Sequence, residues 1–137
     1  MYLTMEQDYA IRIVYQLYKS NEKVDVKKLS EKTGVTPSFT QKIMRKLNIA
    51  GLVTSTKGIY GGYTVSKSAE NISIFDVIIA IENNTAINSC LNGKYVCNNP
   101  NTIDNNGVCC IQCEIEKINK QVDDSLKALT YDKILHQ

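Results

Sequence analysis

Apolar side chains recur every three or four residues in three stretches of the first half of the chain, which is the spacing of amphipathic helices. The first stretch covers residues 7–18 and places on one face Tyr9, Ala10, Ile13, Val14 and Leu17. The second begins after Asp25, a suitable N-cap, and ends before Gly34. The third follows Thr36 and Pro37, which suit an N-cap and a first helical position. The pattern therefore predicts three short helices.

The third predicted helix has two contrasting faces. Its apolar face holds Phe39, Ile43, Met44 and Leu47. Its opposite face holds the residues that we expect to contact DNA, with Gln41 at a base and the lysines mainly at phosphates: Ser38, Gln41, Lys42, Arg45 and Lys46. A short helix, a glycine turn and a second helix with a polar, basic outer face are typical of a helix-turn-helix. An ordinary helical hairpin would show the same periodicity, so this pattern alone leaves both structures open.

The next segment predicts a β-hairpin. Residues 52–55 and 63–65 have strand composition, and the connection between them contains three glycines. A hairpin directly after a recognition helix is a wing, whose tip can approach the phosphates or the minor groove of DNA. We expect that contact from Lys57, Tyr60, Gly61 and Gly62. Three helices followed by a basic hairpin favour DNA over RNA or a membrane as the partner.

The second half of the chain predicts two further helices around a polar loop. Ser73 and Asp76 form a capping box before a fourth helix. A final helix from Ile111 to Leu129 carries an apolar stripe of Ile111, Ile115, Ile118, Val122, Leu126 and Leu129. That stripe is too long for this small domain to cover, so we expect it to pack against the same helix of a second subunit. Packing against the N-terminal helix of its own subunit is the alternative.

These elements predict a mainly α fold with a small β-hairpin wing, in a chain of 137 residues. We divide it into a winged helix-turn-helix DNA-binding domain (1–82), a cysteine-rich sensor loop (83–110), and a dimerisation helix with its tail (111–137). The longest apolar run is residues 77–81, too short for a bilayer, and no signal peptide is visible. We therefore expect a cytoplasmic protein without a membrane partner.

Basic residues are segregated along the chain. Residues 32–69 contain six Lys or Arg and no Asp or Glu. Residues 1–70 carry 11 basic and 6 acidic side chains, a net +5, whereas residues 71–137 carry 5 and 8, a net −3. A basic surface at one end suits a polyanion such as DNA, because neutralised phosphates release counterions. A solvated face that lacks acids is the alternative interpretation.

All five cysteines lie in one segment and are Cys90, Cys97, Cys109, Cys110 and Cys113. An odd number of thiols without an export signal argues against a disulfide framework. Such a group favours a metal, a cluster or redox sensing, with buried structural thiols as the alternative. Enzyme chemistry is not expected, because the chain has no Ser-His-Asp set, no phosphate loop, no paired catalytic carboxylates and a single His.

Several of these residues occur in strings that resemble the Rrf2 family of winged-helix regulators, which includes IscR, NsrR and CymR. The resemblance covers essentially the whole chain and is strongest at Gly51-Leu52-Val53, Lys57-Gly58 and Gly61-Gly62-Tyr63, followed by the spaced cysteines. It implies a homodimer with a winged helix-turn-helix and a long C-terminal dimerisation helix. It also implies an iron–sulfur cluster, [2Fe-2S] or [4Fe-4S], held by three cysteines and a variable fourth ligand.

By position, the resemblance makes Cys90, Cys97 and Cys109 the first three ligands, with Cys110 and Cys113 additional. Gln112 stands where IscR-like members have a histidine. The fourth ligand stays open between Cys113, which forms a Cys-x-x-Cys pair with Cys110, and a partner-subunit carboxylate at Asp8, as in NsrR-like members. A favourable charge at a helix start is the alternative role of Asp8.

The expected function is that of a transcriptional regulator, by family resemblance a repressor, that binds a palindromic DNA operator. Its cluster would sense redox state, nitric oxide or iron–sulfur status. Three cluster-free alternatives stay open. These are a thiol/disulfide switch, a zinc or copper site, and a signal from a protein partner as in CymR-like members.

Overall fold

A computed structural model describes residues 3–93, 97–98 and 100–137. In this part of the chain the helices are α1 (Met5–Ser20), α2 (Val26–Thr33), α3 (Pro37–Ile49), α4 (Ile74–Ile81), α5 (Cys110–Ala128) and α6 (Tyr131–Leu135). Strands β1 (Val53–Thr56) and β2 (Gly62–Val65) form an antiparallel hairpin with Val53 opposite Val65. Single 3₁₀ turns lie at Ala69–Asn71, Ser89–Leu91 and Pro100–Thr102. The predicted mainly α fold with a wing is confirmed.

Local capping explains where the helices begin. Asp25 accepts a hydrogen bond from the backbone N–H of Lys28 at the start of α2, and Thr36 caps α3 as predicted. Ser73 starts α4 through the predicted capping box. Helix α1 begins two residues earlier than predicted, because Thr4 and Gln7, the third residue of the helix, also form a capping box.

The hydrophobic core lies between α1, α2, α3, α4 and the first strand. Its fully buried members are aliphatic apart from Met44 and Tyr131, and include Ile13, Val14, Leu29, Ile43, Leu47, Val53, Ile72 and Val77. Burial of these side chains is the main stabilising term, at roughly 1.5–3 kcal/mol for each large one. This core holds α3 with one face inward and leaves its other face at the surface.

Helix α5 is different, because none of its residues is buried. Ile111 and Ile118 are each 52% exposed. No sequence pattern predicted α6, which follows α5 and packs on the winged-helix domain. Its Tyr131 is fully buried and donates a hydroxyl hydrogen bond to the carbonyl oxygen of Ile11 at 3.0 Å. The C-terminal end of α5 is thereby attached to α1.

Candidate nucleic-acid interface and cysteine segment

The outer face of α3 is available to a ligand. Ser38, Gln41, Lys42 and Arg45 are exposed, whereas the opposite side of the helix is buried in the core. The chain enters α3 from α2 through Gly34, whose φ of 74° belongs to the left-handed region that favours glycine. The geometry is that of a helix-turn-helix with a projecting second helix.

A side-chain contact joins this face to the wing. The amide Nε2 of Gln41 donates a hydrogen bond to the phenol oxygen of Tyr63 in β2 at 3.2 Å. One N–H of Gln41 is therefore held by the protein, and the amide plane is oriented before any ligand arrives. Sequence reasoning singled out Gln41 but gave Tyr63 no role, although it belongs to the Gly-Gly-Tyr string.

Two lysines of α3 are not free cations. Nζ of Lys46 lies 2.8 Å from Oε1 of Glu6 and donates a hydrogen bond to the carbonyl oxygen of Ile81 at 3.3 Å. Nζ of Lys42 lies 3.6 Å from the same carboxylate oxygen. Residues 32–69 contain no acid, but the fold brings Glu6 of α1 against them. The prediction that Lys46 contacts DNA remains a prediction, and the structure gives this side chain another set of partners.

The wing presents two large apolar side chains at its tip, where Ile59 is 96% and Tyr60 is 88% exposed. Lys57 is also exposed. The backbone N–H of Gly61 donates to the carbonyl of Gly58 at 3.0 Å, so this group is already engaged within the hairpin. A Cβ on Gly61 would lie 2.2 Å from the carbonyl oxygen of Thr56.

Gly62 lies against the backbone of Val24. A Cβ added at Gly62 would lie 3.1 Å from the carbonyl carbon and oxygen of Val24. Val24 and Tyr63 exchange backbone hydrogen bonds of 2.8 and 3.0 Å. Close approach of backbone therefore explains why glycine occupies this position and position 61. A DNA contact by either glycine stays a prediction.

The cysteine segment is anchored on the N-terminus of α5. Cys109 is the N-cap of that helix, and its Sγ accepts a hydrogen bond from the backbone N–H of Gln112 at 3.5 Å. Sγ also lies 3.3 Å from the hydroxyl of Thr102. These contacts lower the pKa of Cys109, with the Thr102 hydroxyl contributing most, because both groups can donate to a thiolate.

Other contacts tie the loop to α5. Nε2 of Gln112 donates to the carbonyl of Cys90 at 3.2 Å, and the backbone N–H of Ile87 donates to Oδ1 of Asn119 at 2.7 Å. Ile103 and Cys109 pair as an isolated antiparallel bridge, which folds back the residues between them. The residues between Ile103 and Cys109 thus form a compact turn directly before α5.

The donor chemistry of this segment suits a soft metal or an iron–sulfur cluster. Cys90, Cys109 and Cys113 are half-exposed, Cys97 and Cys110 are exposed, and all five are free thiols. Within residues 3–93, 97–98 and 100–137, however, no three His, Cys, Asp or Glu side chains converge as metal ligands would. The thiols, as the described part of the chain arranges them, do not fit a cluster.

The carboxylate of Asp8, the other candidate ligand, lies 2.9 Å from Nε of Arg12 on the same helix. This pairing matches the alternative in which Asp8 is a charge in the first turn of α1.

None of the helices described is long and apolar enough to span a membrane.

Comparison with known proteins finds one protein family that matches nearly the whole chain. A sequence model described as "Rrf2: Iron-dependent Transcriptional regulator" matches residues 3–137. The protein rrf2 of Nitratidesulfovibrio vulgaris is 33% identical over 92 residues, which cover 66% of the chain and 61% of that protein. The HTH-type transcriptional regulator IscR of Vibrio cholerae is 33% identical over 99 residues, 71% of the chain and 57% of that protein. The chain thus spans about three-fifths of the length of these two relatives.

The fold has a solved counterpart in CymR (YrzC), the global cysteine regulator of B. subtilis. The two structures superpose with a TM-score of 0.77 at 19% identity, over 98% of the chain and 95% of CymR. At this level of identity the match establishes the shared winged-helix fold.

Proposed function

Because this chain belongs to the Rrf2 family of transcriptional regulators, we propose that it is a cytoplasmic repressor that binds a palindromic DNA operator as a homodimer. The observation that carries the proposal is the exposed face of α3 beside the wing, joined by the hydrogen bond between Gln41 and Tyr63. A pre-oriented amide on a projecting helix is suited to the edge of a base in the major groove.

In this proposal the side chains of α3 contact different parts of the DNA, according to their chemistry. Gln41 contacts a base through its amide, and Arg45 contacts a guanine or a phosphate through its guanidinium. Ser38 and Lys42 lie on the same exposed face and contact the DNA backbone. Lys57 and Tyr60 bring the wing to the adjacent backbone or minor groove.

The exposed part of the α5 stripe supports the homodimer, whereas Leu126 near the end of the helix packs against the core of its own chain. In an isolated subunit Ile111 and Ile118 are half-exposed, which is costly for an apolar stripe of this length. Packing two copies of α5 together would cover the stripe and place two α3 helices on one side of the assembly. We propose half-sites about one helical turn apart, roughly 34–36 Å.

We further propose that the cysteine segment controls DNA affinity by binding an iron–sulfur cluster. Cys90, Cys97 and Cys109 would hold it, with Cys113, Cys110 or Asp8 of the partner subunit as the fourth ligand. The bound cluster would supply a centre that reacts with oxidants or nitric oxide. Since three donors do not converge in a single subunit, dimer formation or cluster assembly must first bring them together.

A thiol switch without a cluster is the second candidate. It is favoured by the lowered pKa of Cys109, since the thiolate is the form that oxidises. Zinc or copper(I) bound by the same thiols, and a CymR-like protein signal, are the remaining cluster-free forms.

Anaerobic purification followed by iron, sulfide and zinc analysis separates these proposals. Visible absorbance that accompanies iron and sulfide, and that is lost in Cys90→Ala, is expected for the cluster. A colourless protein with reversible disulfides, or with zinc and no sulfide, would instead identify a cluster-free form.

DNA binding is tested independently with Arg45→Ala on a duplex selected from a random library by the wild-type protein. We expect weaker binding by about 1–3 kcal/mol, the value of a good base contact. Unchanged affinity would place the DNA-contacting face elsewhere.

A further inference from the structure

Lys46 lies on the helix that we propose to bind DNA, but its charge is turned to the interior of the subunit. The side chain is 33% exposed, and its Glu6 partner is only 13% exposed. Lys42, four residues earlier on the same helix, is 57% exposed. A phosphate that reaches Lys42 competes only with its longer, 3.6 Å contact to Glu6, whereas reaching Lys46 requires breaking the 2.8 Å ion pair of a less exposed side chain.

The second contact of Lys46 reaches the end of α4. Ile81 is the last residue of that helix, so its carbonyl oxygen has no partner within the helix ladder. A lysine ammonium satisfies such an oxygen and suits the negative end of the helix dipole. Through one nitrogen, Lys46 therefore joins the last turn of the helix that we propose to contact DNA to both α1 and α4.

Ile81 is also the point at which the winged-helix domain leads into the cysteine segment. Glu82 follows it with extended backbone, and Ile87 already contacts α5 through Asn119 at 2.7 Å. A small cavity lined by Gln7, Glu82, Ala86 and Leu126 lies at the same junction. Only a few residues thus separate the loop contact on α5 from the carbonyl that Lys46 holds.

We propose that Lys46 is a positioning residue, which links the setting of α3 to the state of the cysteine segment and does not bind a phosphate. This inference rests on the proposed control of DNA binding by that segment. In it, Glu6 and the Ile81 carbonyl fix the ammonium of Lys46, and movement at Ile81 changes how α3 meets DNA. Lys42 on the same helix provides the phosphate contact.

The test compares Lys46→Met with Lys42→Met, two identical substitutions on one helix. Both variants and the wild type are titrated with the duplex selected by the wild-type protein, over a series of salt concentrations. Each is measured anaerobically after reconstitution with iron and sulfide, again after removal of metal by a chelator, and again after thiol oxidation by diamide. The measured quantities are the salt slope and the ratio of affinities between states.

For Lys42→Met we expect the logarithmic salt slope to fall by about one, with the ratio between states kept. For Lys46→Met we expect the salt slope of the wild type. The ratio of DNA affinities between states should be about tenfold in the wild type and no more than about twofold in this variant. A slope that falls equally in both variants would make Lys46 a phosphate contact. If Lys46→Met kept the wild-type ratio of affinities between states, Lys46 would not link α3 to the cysteine segment.

If the wild-type protein bound the duplex with the same affinity in all three states, the proposed control by the cysteine segment would be contradicted, and with it the role of Lys46. If Lys46→Met fails to unfold cooperatively, Glu6→Gln loosens the same junction from the other side. We expect Glu6→Gln to lower the ratio without lowering the salt slope, and a full ratio in this variant would overturn the inference.

Discussion

The phenol oxygen of Tyr63 accepts a hydrogen bond from the side-chain amide of Gln41, so the wing fixes the orientation of a residue on the helix that we propose to face DNA. The two residues are 22 positions apart, and each reaches the other from a separate element. Orienting an amide before binding reduces the entropy lost when it meets a base. If Gln41 contacts a base as we propose, this pair gives the wing a second role, as a support for base recognition.

Removing this support should reduce sequence discrimination. In Tyr63→Phe the ring is kept and the hydroxyl is lost, so we expect the fold to be retained. The penalty for a single base change opposite Gln41 should fall by about 1 kcal/mol, the net value of one hydrogen bond. Competition titrations with the selected duplex and its single-base variants measure this. Tyr60→Phe removes a hydroxyl from the wing tip, and equal losses in both variants would deny Tyr63 a special role.

Tyr131 should be the most sensitive residue of α6. Tyr131→Phe leaves the Ile11 carbonyl without its hydroxyl donor and should cost about 1 kcal/mol of unfolding free energy. Tyr131→Ala also leaves a cavity and should cost about 3–5 kcal/mol. Urea unfolding measures both, and Tyr60→Phe at the exposed wing tip should stay within about 0.5 kcal/mol. A negligible loss in Tyr131→Ala would show that α6 does not belong to the core.

Gly61→Ala should distort the wing, because its Cβ would meet the Thr56 carbonyl at 2.2 Å. Relieving this contact moves backbone and should cost about 1–3 kcal/mol locally. The salt slope of DNA binding should fall as Lys57 leaves its proposed phosphate. Gly51→Ala is the control, since its left-handed φ of 76° also disfavours alanine but nothing lies within 4 Å of its Cβ, and it lies outside the wing tip and the cysteine segment. An unchanged slope in Gly61→Ala would remove the wing from the interface.

Cys109 should react as a thiolate at lower pH than an ordinary thiol. Its pKa is lowered, so at a given pH below the usual value more of it is deprotonated and reactive. Thr102→Val removes the main cause, raises the pKa and should slow alkylation by iodoacetamide at pH 7. Mass spectrometry of the reduced protein measures the rate at each cysteine. The rate at Cys110 should stay constant, and an unchanged rate at Cys109 would contradict the assigned cause.

Much of the fold could be predicted because its signals are local. Asp25, Thr36 and Ser73 cap helices through neighbours three residues away, and strand composition with glycines predicts the hairpin. Helix α6 could not be predicted in this way. It has five residues, and what holds it is the burial of Tyr131 against α1, a contact across 120 positions.

The candidate site shows the same limit. Periodicity correctly put Gln41 and Arg45 on the exposed face of α3. It could not show that Glu6 would neutralise Lys46, because helix packing brings together residues 40 positions apart. The same reason hides the contact between Gln112 and the Cys90 carbonyl. Charge counted along the chain therefore overstated the free basic surface.

The central claim is that the cysteine segment controls DNA affinity. Its most direct test is the Kd for the selected duplex, measured by fluorescence anisotropy with anaerobically reconstituted, chelator-treated and diamide-oxidised protein. We expect at least one pair of states to differ about tenfold in the wild type, and the difference to disappear in Cys109→Ala. One Kd shared by all three states of the wild-type protein would contradict the claim.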